Sequence, residues 1–223
     1  MKLSQIPLSQ IRLVIFDLDG TFYNLGKMRK RVIRDMVFYY LLRPHRWREM
    51  RWIQTFRSVR EKMAEMPHAR LDESSYENVA ARTTGSPEEV HQVVNRWMLQ
   101  HPLPYLAQMV YPEVRPLLKQ LKQSGIELAV FSDFPAQKKI KAMGLEISAV
   151  YSAHHPEIDQ LKPSPKGLLH ISQSFGVPPE QCLMVGDRDD RDGEAARRAG
   201  MNYHVLAKNE SPLQPLLDWV GKH

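Results

Sequence analysis

Cys182 is the only cysteine of the chain. It has no internal disulfide partner, and within the apolar run QCLMV it reads as a small buried residue, so a reducing, cytoplasmic setting is expected. No run of about 18 apolar residues occurs, which excludes a membrane-spanning helix. The opening MKLSQIPLSQ carries one lysine and no apolar core of signal-peptide length, so no export signal is expected. A Gly-Lys-Ser/Thr nucleotide loop and a GxGxxG dinucleotide turn are both missing, which disfavours those two binding modes. His154 and His155 have no partners at zinc-site spacing. Internal repeats and low-complexity tracts are absent.

The chain does carry a lopsided charge. Its net charge is +6 over 223 residues, yet Lys27 to Arg70 alone holds thirteen Lys and Arg against four Asp and Glu, a local +9. The remainder is mildly acidic. A basic block of this kind attracts anions, whether phosphorylated substrates, nucleic acid or a membrane surface, although a solvated helical face is the plainer reading.

Two hydrophobic rhythms divide the chain. Residues 12–16 form a short continuous apolar strand of the sort buried in a parallel sheet. From about 27 to 108 the pattern is helical. Met28, Val32, Ile33, Met36, Val37, Tyr40 and Leu41 are expected on one side of a first helix that Pro44 ends. A second helix is predicted from Arg46 to Met66, with Trp47, Met50 and Ile53 in a core. LDESSYENVAARTTG and SPEEVHQVVNRWML follow as two more, the latter with Ser86 as N-cap, Pro87 at the first position and Glu89 completing a capping box. After Tyr111 helices alternate with the strands IELAVFSD, ISAVYSA, QCLMVGD and NYHVLA. The expected fold is therefore α/β, a Rossmann-like parallel sheet with helices on both faces. The core comprises 1–24 and 109–223, and 25–108 is an inserted all-helical domain.

Three strands end in acids. Strand interiors avoid Asp, yet VIFDLDGT runs directly into Asp17 and Asp19, IELAVFSD ends in Ser132 and Asp133, and QCLMVGD leads into Asp187 and an acid-rich turn. Ligands bind beyond the carboxyl ends of such strands, so these groups are expected to converge. Carboxylates gathered without His or Cys suit Mg²⁺, which also explains how like charges coexist. Lys162 in LKPSP is placed at the same edge. Metal, carboxylates and lysine together point to a phosphoryl group, and a carboxylate can serve as its nucleophile.

DLDGT (17–21), FSD (131–133), LKP (161–163) and VGDRDDRD (185–192), in that order, resemble the four motifs of the haloacid dehalogenase superfamily. The flanking YPEVRPLLKQLKQSGIELAVFSD and KPSPKGLLHISQSFGVPPEQCLMVGD are similar to its phosphoglycolate-phosphatase-like branch, whose helical cap the insertion resembles. The resemblance implies that Asp17 is the nucleophile and Asp19 the general acid and base, with Gly20 permitting the turn that brings both to one centre. It implies that Ser132 and Lys162 bind the phosphoryl oxygens alongside Gly20 and Asp133. Mg²⁺ would sit among Asp17, the backbone carbonyl of Asp19, Asp187 and Asp192. Within VGDRDDRD the family's second acid fits Asp192 best, leaving Asp189 and Asp190 as turn residues.

The function implied is Mg²⁺-dependent hydrolysis of a small phosphorylated metabolite through an aspartyl-phosphate. A phosphomutase would look alike in these motifs. A haloacid dehalogenase would need neither metal nor Asp19, and a non-enzymatic module would show decayed motifs. Arg43 and Arg46, flanking Pro44, are candidate specificity residues in the cap. No nucleic-acid partner is expected, and contact of the basic, aromatic block with an anionic membrane surface is kept as a secondary possibility.

Overall fold

Four apolar residues in a row, Leu13–Phe16, form β1 at the centre of the sheet and are wholly buried. The computed structural model describes residues 3–66, 70–147 and 149–222. Ser148, in the third expected strand, and the chain ends at 1–2 and 223 lie outside them.

After β1 come α1 (Leu25–Leu41), α2 (Arg48–Met63), α3 (Leu71–Ala80), α4 (Pro87–Val94) and α5 (Leu103–Leu106). Alternation then follows through α6 (Val114–Gln123), β2 (Glu127–Ser132), α7 (Gln137–Ala142), β3 (Ala149–Ser152), α8 (Lys166–Phe175), β4 (Cys182–Gly186), α9 (Glu194–Ala199), β5 (Asn202–Val205) and α10 (Gln214–Val220). All strand pairs are parallel, in the order β3-β2-β1-β4-β5. The order reverses direction on either side of β1, so the crevice at its carboxyl end is the natural ligand site.

Alternation along each strand builds two cores. Val14, Phe16, Leu128, Val130, Leu183 and Val185 face α6, α10 and the inserted helices, in one continuous apolar cluster. Leu13, Ile15, Ala129, Phe131, Cys182 and Met184 face α8 and α9. Helices therefore cover both faces, as a parallel sheet requires. Burial pushes the Cys182 thiol up to about 11, which makes it a packing residue and not a nucleophile.

Local chemistry sets the helix starts. The Asn24 side chain accepts from the Lys27 amide to open α1. At α4, Ser86 Oγ accepts from the Glu89 amide at 3.2 Å while a Glu89 carboxylate oxygen accepts from the Ser86 amide at 2.9 Å, the reciprocal capping box.

Two packing expectations fail in the insertion. Met28, Val32 and Tyr40 of α1 are buried, whereas Ile33, Val37 and Leu41 stay exposed. Those six, with Met36, span an arc of roughly 220° at 100° per residue, too wide for one packing face. Trp47 is half-exposed and not in a core; its indole N–H donates to the Tyr40 carbonyl at 2.7 Å, which ties the ring to the α1–α2 turn.

Candidate active site

The backbone carries β1 one hydrogen bond past its end, the Asp17 amide donating to the Val185 carbonyl at 2.8 Å. Then it turns. The Thr21 and Phe22 amides both donate to the Leu18 carbonyl, and Gly20 adopts φ +107°. A Cβ on Gly20 would also lie 2.3 Å from an Asp187 oxygen, so both conformation and space demand glycine. The turn breaks the strand's alternation and lets Asp17 and Asp19 face the same crevice.

Asp17 lies at the bottom, 6% exposed. One carboxylate oxygen accepts from Lys162 Nζ at 2.6 Å and the other from Thr21 Oγ1 at 3.1 Å. Lys162 is itself buried and also donates to Asp192 Oδ1 at 2.7 Å. The second Asp192 oxygen accepts from the Arg188 amide at 3.0 Å. Ligand oxygens of Asp17, Asp187 and Asp192 fall within 4.8 Å of one another. Burial, with the neighbouring charges of Asp192 and Asp187, raises the Asp17 carboxyl well above its usual range, and Asp187 is raised by burial and Asp192. Burial opposes the charge on Lys162, but Asp17 and Asp192 outweigh it and keep the ammonium protonated. Three carboxylates thus crowd around one lysine, which bonds two of them. The excess negative charge and the all-oxygen donor set fit a hard divalent cation such as Mg²⁺.

Asp19 has a different environment. Lys139 Nζ, on α7, reaches its two oxygens at 2.6 and 2.7 Å, and the Tyr23 hydroxyl donates a short hydrogen bond to one of them. Burial pushes Asp19 up, but the charge and hydrogen bonds of Lys139, with the Tyr23 bond, win and lower it. Neither Lys139 nor Tyr23 stands out in the sequence. QKKIKA offers three lysines on a six-residue helix, and only packing decides that Lys139 is the buried one.

The remaining candidates take separate places. Ser132, buried at the end of β2, accepts from the Phe134 amide at 3.2 Å and stands beside the acids on the neighbouring strand. The Asp133 carboxylate accepts from the Lys162 amide at 3.0 Å, so that side chain clamps the lysine's backbone. Asp189 and Asp190 point outward and pair with Arg197 and Arg188, at 3.0 and 2.6 Å. Arg43 and Arg46 lie away from the acids: Arg46 is held by Glu49 at 2.5 Å and by the Tyr39 hydroxyl, and Arg43 stacks on the Tyr39 ring. His155 gains Glu157 and, across the fold, His170 as neighbours, in a group separate from Asp17, Asp187 and Asp192.

A cavity of about 240 Å³ opens above Asp19 between the sheet edge and the inserted helices. Arg29, Arg57 and Arg60 line it from α1 and α2, with Phe134 and Lys139 opposite. Arg60 Nη2 donates to the Asp133 carbonyl at 2.6 Å, and Glu61 pairs with Arg188 and Arg191 at 2.7 and 3.0 Å. The end of α2 therefore rests directly on two of the sequence motifs.

The model of the haloacid dehalogenase-like hydrolase family matches residues 11–200. The chain belongs to this family. It is similar to a glyceraldehyde 3-phosphate phosphatase of Methanopyrus kandleri, 29% identical over 86% of this chain and 82% of that one. A phosphoglycolate phosphatase of Haemophilus influenzae is 28% identical over 95% of this chain and 94% of its own length. Among solved structures, a Bacillus subtilis hydrolase of the same type bound to magnesium superposes with a TM-score of 0.67 at 13% identity, covering 95% of this chain and 99% of that one. The family match shows a hydrolase of the haloacid dehalogenase type.

Proposed function

We propose that the enzyme is a Mg²⁺-dependent phosphatase of a small anionic metabolite and that it works through an aspartyl-phosphate on Asp17. The observation that carries this reading is the division of labour between two carboxylates two residues apart. Asp17 is locked by Lys162 and Thr21, fixed as a nucleophile must be. Asp19 stands at the cavity floor, where a leaving oxygen or an incoming water would lie.

In the first step an Asp17 oxygen attacks phosphorus, the ester P–O bond breaks, and the leaving oxygen takes a proton from Asp19. In the second, Asp19 takes a proton from water, whose oxygen attacks phosphorus and releases phosphate from Asp17. Lys162 and Ser132 hold the phosphoryl oxygens. Asp17, Asp187 and Asp192, with the backbone carbonyl of Asp19, would hold Mg²⁺, which bound there neutralises phosphoryl charge and offsets the mutual repulsion of the acids. Lys139 holds Asp19 in its base form, so the acid step needs substrate to draw Lys139 toward the phosphoryl group and Asp19 to take up a proton from solvent. Asp19 then gives that proton to the leaving oxygen, and the second step returns a proton to it from water.

Residues 25–108 act as the cap in this reading, over a core of 1–24 and 109–223. Substrate selection falls to Arg29 and Arg57 and not to the Arg43–Arg46 turn. Among the described residues no carboxylate pairs with either arginine, and burial and Arg29's charge lower the affinity of Arg57 for its proton. A second anionic group next to the transferred phosphate would relieve both. The two similar phosphatases act on glyceraldehyde 3-phosphate and phosphoglycolate, and a cavity of 240 Å³ suits molecules of that size.

Asp17→Asn tests the mechanism. It should lower p-nitrophenyl phosphate hydrolysis by at least about 10³-fold, the scale seen when a nucleophile is removed. Chelation should silence the wild type and Mg²⁺ restore it, with Asp187→Ala raising the Mg²⁺ requirement and Asp190→Ala leaving it unchanged. Near-normal turnover by Asp17→Asn would sink the covalent route. Halide release from a haloacid, untouched by chelator, would instead mark a dehalogenase.

A further inference from the structure

The outer side of α1 is built unlike the rest of the surface. Ile33, Val37, Phe38 and Leu41 are 53%, 47%, 64% and 60% exposed, and the stripe continues into Leu42 at 80% and Trp47 at 51%. Of the eight large apolar residues that are exposed among the described ones, these are six. At 100° per residue Lys27, Lys30 and Arg34 fall between the apolar positions, and Arg31 lies next to Phe38 at their edge. Arg43, Arg48 and Arg51 continue the basic series past the turn.

Acids are nearly missing from this face. Asp35 pairs with Arg31 at 3.5 Å and Arg34 at 3.2 Å and reaches His101 at 3.1 Å and Tyr105 at 3.0 Å, and Glu49 is buried against Tyr40 and Arg46. No carboxylate pairs with Lys27, Lys30, Arg43 or Arg51 among the described residues.

We infer that the outer face of α1, with the turn to Trp47, docks on an anionic membrane surface. Exposed aliphatic and aromatic side chains interleaved with an excess of cations are what an in-plane interfacial helix presents to lipid, its apolar groups entering the acyl boundary and its lysines and arginines meeting acidic headgroups. Trp47 has its N–H already satisfied by a backbone carbonyl and its ring free, as an interfacial anchor needs. Charge decides between occupants. A second copy would bring two basic faces together without acids to answer them, and a nucleic acid backbone would leave Ile33, Val37 and Leu41 unburied. Docking leaves the cavity clear, because Leu25, Met28, Arg29 and Val32 line it from the opposite side of the helix.

Co-sedimentation of the full chain with vesicles tests this. Binding is expected to vesicles of phosphatidylcholine mixed with phosphatidylglycerol, weak to phosphatidylcholine alone, and reduced by high salt. Phe38→Ser with Leu41→Ser should abolish binding although every charge remains. Lys27→Gln with Lys30→Gln should weaken it about 25-fold, at about fivefold per cation. Both variants should keep wild-type hydrolysis of p-nitrophenyl phosphate, which shows that they fold. Failure of the wild type to bind the mixed vesicles would overturn the proposal. So would binding that the serine variant retains, a dimer in analytical ultracentrifugation that this variant dissolves while vesicles go unbound, or salt-sensitive capture of an oligonucleotide in preference to vesicles.

Discussion

The carboxyl edge of the sheet and the outer face of α1 are both crowded with charge, and they obey opposite rules. At the sheet edge Asp17, Lys162 and Asp192 are almost inaccessible, and each has a partner within 2.7 Å. On α1 the cations are exposed, and several have no partner. Burying an ion is costly unless it is paired, so the inner cluster is tightly specified. Water solvates the outer cations at little expense, so their arrangement is free to serve an external partner. A charge that is hard to bury explains itself through its neighbours, whereas the exposed apolar stripe on α1 has none in the fold to explain it.

Removing the shared lysine gives the largest expected effect. Lys162→Met strands two buried carboxylates beside Asp187, and breaking such a buried network typically costs about 3–5 kcal/mol. Urea unfolding in the presence of chelator measures it. Mg²⁺ should return part of the loss, since a cation that binds only the folded acids stabilises them. Lys30→Met, on the outer face, should stay within about 0.5 kcal/mol of wild type. Equal losses in the two variants would erase the contrast.

Lys139 tests the same rule inside the cavity with a smaller effect. Burial raises Asp19, and Lys139 overcomes it. In Lys139→Met only the Tyr23 hydrogen bond and the charge of Lys162 are left to oppose burial, so the Asp19 pKa rises. Where Asp19 must be ionised to activate water, the rate falls on the acid side of that pKa, and this limb of the pH profile should move to higher pH. An unmoved limb would show that Lys139 does not set the ionisation of Asp19.

These two lysines also mark how far the sequence is legible. Lys162 could be read because it stands in a short motif before a helix start, and the acids could be read because Asp at the end of a buried strand conflicts with strand propensity. The sheet followed from the same alternation of apolar runs and helices, and the α4 start from Ser86 and Glu89. Lys139 could not be read, since its burial depends on how a six-residue helix packs against Phe134 and Asp19. Arg29 and Arg57 were hidden in the same way, among thirteen basic residues of similar appearance. The apolar arc of α1 misled for a further reason: periodicity reports an amphipathic helix but not which part of a wide arc finds a partner.

Glu61 offers the smallest effect and the finest test, because it lies where the two regions meet. Its carboxylate is largely exposed, yet it bridges Arg188 and the buried Arg191, and the hydrogen bond from Arg188 lowers its pKa. A carboxyl lowered by folding contributes stability that is present above its unfolded pKa and is lost as the pH falls through the folded value. Docking of α2 on the core should therefore loosen on acidification, seen as faster hydrogen exchange at the end of α2. Exposure limits the size of the effect to about 1 kcal/mol or less. Glu61→Gln should show the looser state already at neutral pH and little further change on acidification, while Arg60 still holds the Asp133 carbonyl. If the variant kept the wild-type pH response, the contact of Arg60 with Asp133 would be what seats α2, and the bridge at Glu61 would be one more solvated surface pair.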